Sequence, residues 1–238
     1  MKLMATSDLH LTLSVPEKNM EKFGDCWKDH ANSIVRAWEE HVGKDDIVII
    51  AGDISWATNI EQARKDFDFI EALPGKKIIT VGNHDYWHQT ASKSNNWFFY
   101  NYKTIVPLTR NDYMPIYGVA LCAVRGYMNE NHPEFKPEYR KGYNRECKRL
   151  ELTLRDIPSV YSKVILVSHY PPIHNGYMEG DNTVINIMKR YKVDTCIYGH
   201  LHAEATSEAY IGDYDGMNFK FVAGDSHRFV PQLILEEL

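Results

Sequence analysis

The chain has 238 residues, of which 44% are hydrophobic and 25% are charged. These proportions are typical of a soluble globular protein and exclude extensive disorder. The formal net charge of −5 gives no overall attraction to a polyanion, and no dense run of lysine and arginine predicts a nucleic-acid-binding patch.

The N-terminus and the cysteines indicate the compartment. The first residues lead to Ser7 and Asp8 without the apolar stretch of a signal peptide, and no membrane-spanning run follows. We therefore expect a cytoplasmic protein with no membrane span.

The four cysteines are scattered, with no C-x-x-C pair, so neither a disulfide framework nor a thiolate zinc site is predicted.

The first half of the chain alternates short apolar runs with amphipathic stretches, which is typical of βαβ units. Strands are predicted at residues 3–6, 46–51 and 77–81. Apolar residues recur at helical spacing over residues 27–42 and 60–70, so helices are predicted there. Each of the three predicted strands runs directly into a polar cluster.

The second half predicts a further sheet. Strands are expected at residues 104–108, 113–117, 119–124, 163–167, 195–198, 209–211, 219–222 and 232–235, the last three as an antiparallel meander. Helices are expected over residues 139–155 and 184–191. Neither a repeat nor a linker divides the sequence, so we expect a single domain over residues 1–238.

Polar clusters follow five of the predicted strands, at the edge of an α/β sheet where ligands bind. Residues two apart on an extended segment project to the same side, so Asp8 and His10 can hold one ion. The same spacing lets His200 and His202 reach one centre. Nitrogen and oxygen ligands without sulfur suit divalent first-row metals. The clusters are Asp8-Leu9-His10, Gly52-Asp53, Gly82-Asn83-His84-Asp85, Ser168-His169 and Gly199-His200-Leu201-His202.

Glycines and isolated side chains qualify this interpretation. A glycine precedes Asp53, Asn83 and His200, which lets the backbone turn sharply and leaves room for substrate oxygens. Taken alone, Asp8 or His10 is better explained as a helix cap or a surface histidine. Only the ordered set of clusters favours a metal site.

The ordered set D-x-H, G-D, G-N-H-D, H and G-H-x-H resembles the signature of the calcineurin-like metallophosphoesterases and extends from Asp8 to His202. The resemblance implies an α/β fold, a four-layer α-β-β-α sandwich of two mixed β-sheets flanked by helices. It also implies an enzyme that hydrolyses a phosphoester with two divalent metal ions, such as Mn, Fe or Zn.

The same resemblance implies a role for each site residue. Two ions about 3.5–4 Å apart would lower the pKa of a bridging water and neutralise charge on the phosphoryl oxygens. His84 would bind neither ion and would protonate the leaving oxygen, oriented by Asp85. One ion would be held by Asp8, His10, Asp53 and His202, and the other by Asp53, Asn83, His169 and His200.

The substrate and the activity itself have alternatives. The segment after Asp53 lacks the further aspartate and the arginine of the protein phosphatases in this superfamily, which argues against a phosphoprotein substrate. We slightly favour a phosphodiester, because His84 can protonate a poor alkoxide leaving group. The alternative is a catalytically silent scaffold, although scaffolds of this superfamily lack the histidine equivalent to His84.

Other polar and aromatic residues carry weaker signals. Arg125, after an apolar strand, can meet either a substrate phosphate or a surface carboxylate. The aromatic residues around the G-N-H-D cluster are expected to belong to the core. The histidines outside the clusters are expected to have structural or solvent-exposed roles; they are His30, His41, His88, His132, His174 and His227.

Overall fold

The computed structural model describes residues 1–108, 112–175 and 182–237. The chain divides into two compact units, each with its own β-sheet. Unit 1 is Met1–Pro107 with Val222–Leu238, and unit 2 is Leu108–Phe221. The single domain expected from the sequence stays a prediction.

Strands and helices alternate along both units. The strands are β1 (Leu3–Thr6), β2 (Ile47–Ile50), β3 (Lys76–Ile79), β4 (Ile105–Pro107), β5 (Tyr113–Ile116), β6 (Val119–Val124), β7 (Lys163–Ser168), β8 (Thr195–Tyr198), β9 (Gly212–Tyr214), β10 (Met217–Phe221) and β11 (Gln232–Leu235). The α-helices are α1 (His30–His41), α2 (Arg64–Ala72), α3 (Ala91–Asn101), α4 (Arg140–Arg155) and α5 (Thr183–Arg190). Short 3-10 helices cover Met20–Phe23, Asp25–Trp27, Pro137–Tyr139, Ala203–Glu208 and Asp225–His227.

The described residues of unit 1 form a mixed five-stranded sheet in the order β11-β1-β2-β3-β4. Strands β1 to β4 are parallel, and β11 pairs antiparallel with β1. Strands β1 and β2 are buried along their whole length, which explains their continuous apolar sequences. The core beside the sheet includes Trp38 from α1, Phe67 from α2 and Phe98 from α3. Because β1, β2 and β3 are parallel neighbours, the segments that follow them leave from one edge of the sheet.

The described residues of unit 2 form a mixed six-stranded sheet in the order β5-β6-β7-β8-β10-β9. Strands β6, β7, β8 and β10 run parallel, and the two edge strands pair antiparallel with their neighbours. Helix α4 packs against β6 and α5. The carboxyl ends of β7 and β8 therefore lie at one edge of this sheet.

The two mixed sheets with flanking helices confirm the α/β class predicted from the sequence. The predicted antiparallel meander at the C-terminal end is wrong, because β10 lies parallel to β8 and β11 joins the sheet of unit 1. The predicted strand at residues 209–211 is also displaced, and β9 begins at Gly212. Chain order favours pairing between consecutive strands, and the pairing of β10 with β8 departs from that tendency. Among the described residues, none of the helices combines the length and apolar composition needed to cross a bilayer.

A buried lysine closes the end of α2. Lys77, on β3, is 0% exposed. Its Nζ donates to the carbonyl oxygens of Leu73 at 2.6 Å, Gly75 at 3.0 Å and Glu71 at 3.3 Å. The last carbonyls of a helix have no partner within the helix, so the ammonium group satisfies acceptors that burial would otherwise leave unpaired. Burial lowers the pKa of Lys77 to about 8, and the charge of Glu71 opposes this shift.

Replacing this side chain tests its structural role. We expect Lys77→Met to lower the free energy of unfolding by about 2–3 kcal/mol, because buried carbonyls lose their donor. The neighbouring Lys76 is exposed, so Lys76→Met is a matched control, with a change of about 0.5 kcal/mol or less. Urea unfolding at pH 7 measures both; equal stabilities of the two variants would contradict the capping role.

The lowered pKa of Lys77 also gives a pH dependence. The folded chain binds fewer protons than the unfolded chain between the folded pKa of about 8 and the ordinary value of 10.5. Stability linked to this group therefore rises with pH across that window. The rise should be smaller in Lys77→Met than in Lys76→Met.

Candidate metal centre

The segments that follow β1 and β2 stay paired beyond the sheet. Asp8 N–H donates to the Gly52 carbonyl at 2.9 Å, and His10 N–H donates to the Asp53 carbonyl at 3.0 Å. Leu11 N–H continues this pairing to the carbonyl of Ile54 at 2.9 Å. The pairing brings two of the predicted clusters, D-x-H and G-D, side by side.

The backbone at this edge has an uncommon conformation. Asp8, His10 and Asp53 have positive φ angles of 57°, 43° and 51°. Non-glycine residues rarely adopt this left-handed region, because each one costs about 1–3 kcal/mol and persists only where the surrounding structure holds it. The main-chain hydrogen bonds between the two segments supply that support, so the chain turns sharply while presenting polar side chains.

The side chains of this trio form a compact donor set. His10 Nε2 lies 3.9 Å from Asp8 Oδ1 and 3.8 Å from Asp53 Oδ2. The three residues are 0%, 4% and 2% exposed in the order Asp8, His10, Asp53. One carboxylate oxygen of Asp8 lies within 4.8 Å of one of Asp53. Two buried carboxylates this close repel each other, and a divalent cation offsets that repulsion, so the residues fit a metal ion.

A hydrogen bond to one oxygen of each aspartate fixes the position of that carboxylate. Ser7 Oγ donates to Asp8 Oδ2. His84 N–H donates to Asp53 Oδ1 at 2.8 Å, which links Asp53 to the loop after β3. The other oxygen of each carboxylate, Asp8 Oδ1 or Asp53 Oδ2, faces His10 Nε2. This arrangement fixes the orientation of both carboxylates relative to the imidazole.

Asp85 joins the loops that follow β2 and β3. Within the described residues, its carboxylate accepts five N–H donors. They are Asp53 N at 2.7 Å, Ile54 N at 2.8 Å, Ser55 N at 3.3 Å, Gly82 N at 2.8 Å and Trp87 Nε1 at 2.7 Å. Its partners are therefore main-chain and indole N–H groups, and the orientation of His84 by Asp85 stays a prediction.

Asp85 is buried close to Asp53, and both facts raise the pKa of its carboxyl group. Asp85 is 5% exposed, and burial raises its pKa to about 6, with the negative charge of Asp53 adding to the shift. Hydrogen bonds from Gly82, Ile54 and Trp87 oppose it by favouring the ionised form. The loop contacts therefore stabilise a carboxylate that burial and its neighbour disfavour.

Gly82 makes the close approach of these loops possible. A Cβ atom at this position would lie 2.0 Å from Asp53 Oδ1 and 2.5 Å from Asp53 N. No such contact is tolerated, so any side chain here displaces the loop or the carboxylate. From the sequence we expect this glycine to leave room for substrate oxygens, but in the structure Asp53 fills that space. Asn83 follows Gly82 directly and precedes His84.

His84 lies among aromatic rings in unit 1. Its ring centroid is 5.8 Å from that of His10 and 4.7 Å from that of Trp56. Trp56 also stacks on His10, at 5.3 Å with an interplanar angle of 25°. Among the described residues, no hydrogen-bond partner lies against the buried Nδ1 of His84. The sequence gives no sign of the role of Trp56, because its contacts with His10 and His84 join segments that follow different strands.

Unit 2 brings together two other predicted ligands. His169, which is fully buried, follows β7 and its ring centroid lies 5.1 Å from that of His200, which follows β8. The Tyr170 ring packs on His200 at 3.9 Å. His200 has a positive φ of 72°, as three of the predicted ligands in unit 1 do. His202 is the residue before the 3-10 helix Ala203–Glu208.

Arg125 follows β6 in unit 2. Its carbonyl oxygen accepts from Tyr170 N–H at 3.0 Å, which places it beside the segment that carries His169. In the described part of the chain its Nε is buried without a hydrogen-bond partner. The surface ion pair considered from the sequence therefore does not involve Nε.

The sequence of this chain matches a known protein family. The sequence model described as Calcineurin-like phosphoesterase matches residues 1–204. The matched range contains all of the predicted ligands, from Asp8 to His202.

Two curated relatives come from mycobacteriophages. The Gene 66 protein of Mycobacterium phage L5 is 31% identical over 122 residues, which are 48% of this chain and 56% of the relative. The Gene 66 protein of Mycobacterium phage D29 is 36% identical over 84 residues, 35% of this chain and 40% of the relative. The chain thus spans about half the length of the curated relatives it matches.

Solved structures share the fold at low sequence identity. The phosphopantetheinyl hydrolase PptH from Mycobacterium tuberculosis has a TM-score of 0.61 and 18% identity, over 99% of this chain and 96% of that one. GAP50, the anchor in the inner membrane complex of Plasmodium, has a TM-score of 0.51 and 13% identity, over 95% and 72% of the two chains. At these identities the likeness shows the fold alone.

The contact between Gly82 and Asp53 predicts the effect of one methyl group. Gly82→Ala should displace the Asp53 carboxylate and weaken Mn²⁺ binding by about 10–100-fold, the range seen when groups that orient metal ligands are changed. Gly43→Ala is the control, since its Cβ would meet only the Asp46 side chain, at 3.2 Å. Calorimetric titration of both variants, with circular dichroism to check folding, provides the measurement. An affinity for Mn²⁺ equal to that of Gly43→Ala would contradict the prediction.

Proposed function

Since the chain belongs to the calcineurin-like phosphoesterase family, we propose that it is an enzyme that hydrolyses a phosphoester with two divalent metal ions. The observation that carries the proposal is the buried trio Asp8, His10 and Asp53, whose donor atoms lie within 4 Å of His10 Nε2. A purely structural site usually closes with four thiolate or imidazole ligands, and this donor set is dominated by carboxylates.

We propose the ligand set implied by the family resemblance, with Asp53 shared by both ions. The trio in unit 1 and the proximity of His169 and His200 within unit 2 support it. Nitrogen and oxygen donors suit Mn²⁺, Fe²⁺ or Zn²⁺. When bound, the ions would supply positive charge for the phosphoryl oxygens and a water of lowered pKa. The proposed ligands are Asp8, His10, Asp53 and His202 for one ion and Asp53, Asn83, His169 and His200 for the other.

We propose His84 as the general acid for the leaving oxygen. Its main-chain N–H is bonded to Asp53, so the base of the side chain is fixed relative to the proposed bridging carboxylate. Its ring packs against Trp56, which limits the orientations open to the imidazole. Because Nδ1 is buried, Nε2 is the nitrogen from which a proton would reach the substrate. Asp85 would act indirectly, by holding the loops on which Asp53 and His84 lie.

The proposed substrate is a phosphodiester. An alkoxide leaving group needs the proton that His84 would donate, and the aspartate and arginine typical of the protein phosphatases are replaced by other residues, among them Trp56. Arg125, whose carbonyl oxygen pairs with the segment that carries His169, is proposed to bind a substrate phosphate through the NH₂ groups of its guanidinium. A higher kcat/KM for a monoester than for a diester with the same leaving group would contradict the diester preference.

A catalytically silent scaffold is the alternative function. GAP50, which has the same fold, is described as an anchor, so the fold by itself is compatible with either role. The presence of His84 and of all the expected ligands favours the enzyme. Protein that is loaded with metal at both sites but hydrolyses neither aryl nor alkyl phosphoesters would favour the scaffold.

The bridging role of Asp53 predicts an unusual loss of metal. Asp53→Ala should reduce the content of both ions, because one carboxylate serves two sites. Asp45→Ala is the control, since Asp45 is an exposed aspartate on the same unit. Elemental analysis after dialysis gives the metal content, and a chelator should abolish hydrolysis until Mn²⁺ is added back. Loss of a single ion, or of none, would contradict the bridging assignment.

The acid role of His84 predicts a loss of rate without a loss of metal. His84→Asn should lower kcat by about 10²–10⁴-fold, the usual contribution of a positioned acid. The loss should be larger for an alkyl than for an aryl leaving group, because an aryl oxide hardly needs a proton. His41→Asn, on α1, is the control. Steady-state kinetics with metal analysis makes the test; full activity of His84→Asn on an alkyl ester would exclude the acid role.

A further inference from the structure

A second group of metal-ligating side chains lies within unit 2, and none of its members belongs to the five polar clusters. Glu208 Oε2 is 3.3 Å from His132 Nε2 and 3.4 Å from His174 Nδ1. The two imidazole centroids are 5.1 Å apart. One donor atom from each residue lies within 4.8 Å of the other two.

Main-chain and amide contacts hold the three segments together. His174 forms an isolated β-bridge with Ala209, and Asn175 N–H donates to the Glu208 carbonyl at 2.7 Å. The loop that carries His132 is attached through Asn129, which is buried. Asn129 Nδ2 donates to the Pro172 carbonyl at 2.6 Å, and His132 N–H donates to the Asn129 carbonyl at 3.0 Å. These contacts fix the three segments that carry the proposed ligands relative to one another.

We propose that His132, His174 and Glu208 form a separate site for a divalent transition metal, with Zn²⁺ as the best fit. Ligand atoms bound to zinc at 2.0–2.1 Å in tetrahedral geometry lie about 3.3–3.4 Å apart. The two distances from Glu208 have these values, so an ion needs little rearrangement on that side of the group. Two imidazoles and one carboxylate leave a fourth position for water or an exogenous ligand.

The proton on His132 adapts to metal binding by changing nitrogen. His132 Nδ1 accepts from Glu134 N–H at 3.1 Å, so without metal the ring proton is on Nε2, facing Glu208. An ion on Nε2 would place that proton on Nδ1, where it would face the Glu134 N–H donor to donor, so the bond would break and the two groups would move apart. Glu134 is exposed, so water replaces the lost bond. The ring stays neutral throughout, and no further proton has to be supplied.

The site opens onto a cavity of about 380 Å³ that is lined by residues of unit 2. The lining includes Met128, Tyr170, Pro171 and His200 beside the three proposed ligands. The fourth coordination position therefore has space for a small anionic or neutral donor. This proposal rests on the geometry of the three residues and does not depend on phosphoesterase activity.

Metal stoichiometry tests the proposal. Zn²⁺ is titrated into chelator-treated protein, and bound metal is counted in wild type, His174→Ala and Glu208→Gln, with His41→Ala as the matched control. We expect both site variants to bind one equivalent fewer than wild type and the control, because losing a ligand should weaken affinity beyond the ~10–100-fold typical of a change outside the ligands. Glu208→Gln keeps the size of the side chain and one acceptor oxygen while it removes the negative charge, so it reports on the site if His174→Ala does not fold.

Co²⁺ separates this site from the proposed dinuclear centre. In the Asp53→Ala background, bound Co²⁺ should give the intense visible absorption of four-coordinate Co²⁺, and the added Glu208→Gln change should remove it. If Glu208→Gln binds as much Zn²⁺ as wild type, or if the Co²⁺ absorption survives that change, the three residues are a hydrogen-bonded cluster and the proposal is overturned.

Discussion

The rest of the centre in unit 1 depends on the hydrogen bonds that the carboxylate of Asp85 accepts. This carboxylate ties the loop after β2 to the loop after β3 through hydrogen bonds to main-chain N–H groups and to Trp87. Burying a charge is costly unless hydrogen bonds replace its hydration, and here they come from the backbone of the loops themselves. Without these bonds, neither the contact of Gly82 with Asp53 nor the bond from His84 N–H to Asp53 has a fixed geometry.

The same centre combines a strained backbone with repulsion between buried carboxylates, and a cation would offset the repulsion. Asp8, His10 and Asp53 have left-handed backbones, and the two aspartates lie buried within a few ångströms of each other. Such strain is stable only where the surrounding structure enforces it, as the paired segments after β1 and β2 do here. A ligand that binds only the folded state adds to its stability, so an ion bound by these residues would couple its binding to folding.

The sequence predicted the elements that follow from local patterns and missed those that depend on distant pairing. Strands β1 to β3 were evident because parallel strands buried on both faces are continuous apolar runs, and the candidate ligands were evident because they follow such runs. The position of β10 beside β8, the partners of Asp85 and the contact of Trp56 with His10 and His84 depend on chain segments that meet only in the fold. The group of His132, His174 and Glu208 was missed for the same reason, since its members are far apart in the chain and belong to no motif. The cytoplasmic location and the role of each ligand stay predictions.

Asp85 is not one of the proposed ligands, yet its carboxylate holds the loops on which Asp53 and His84 lie and so positions the site for metal. The most direct test is calorimetric titration of Asp85→Asn with Mn²⁺ beside wild type, after circular dichroism has shown that both are folded. The asparagine side chain has one acceptor oxygen in place of two, and its NH₂ group would face N–H groups that now donate to Asp85. The affinity for Mn²⁺ should fall by about 10–100-fold, as it does when groups that orient ligands are altered. A folded Asp85→Asn protein that binds Mn²⁺ with wild-type affinity would contradict it.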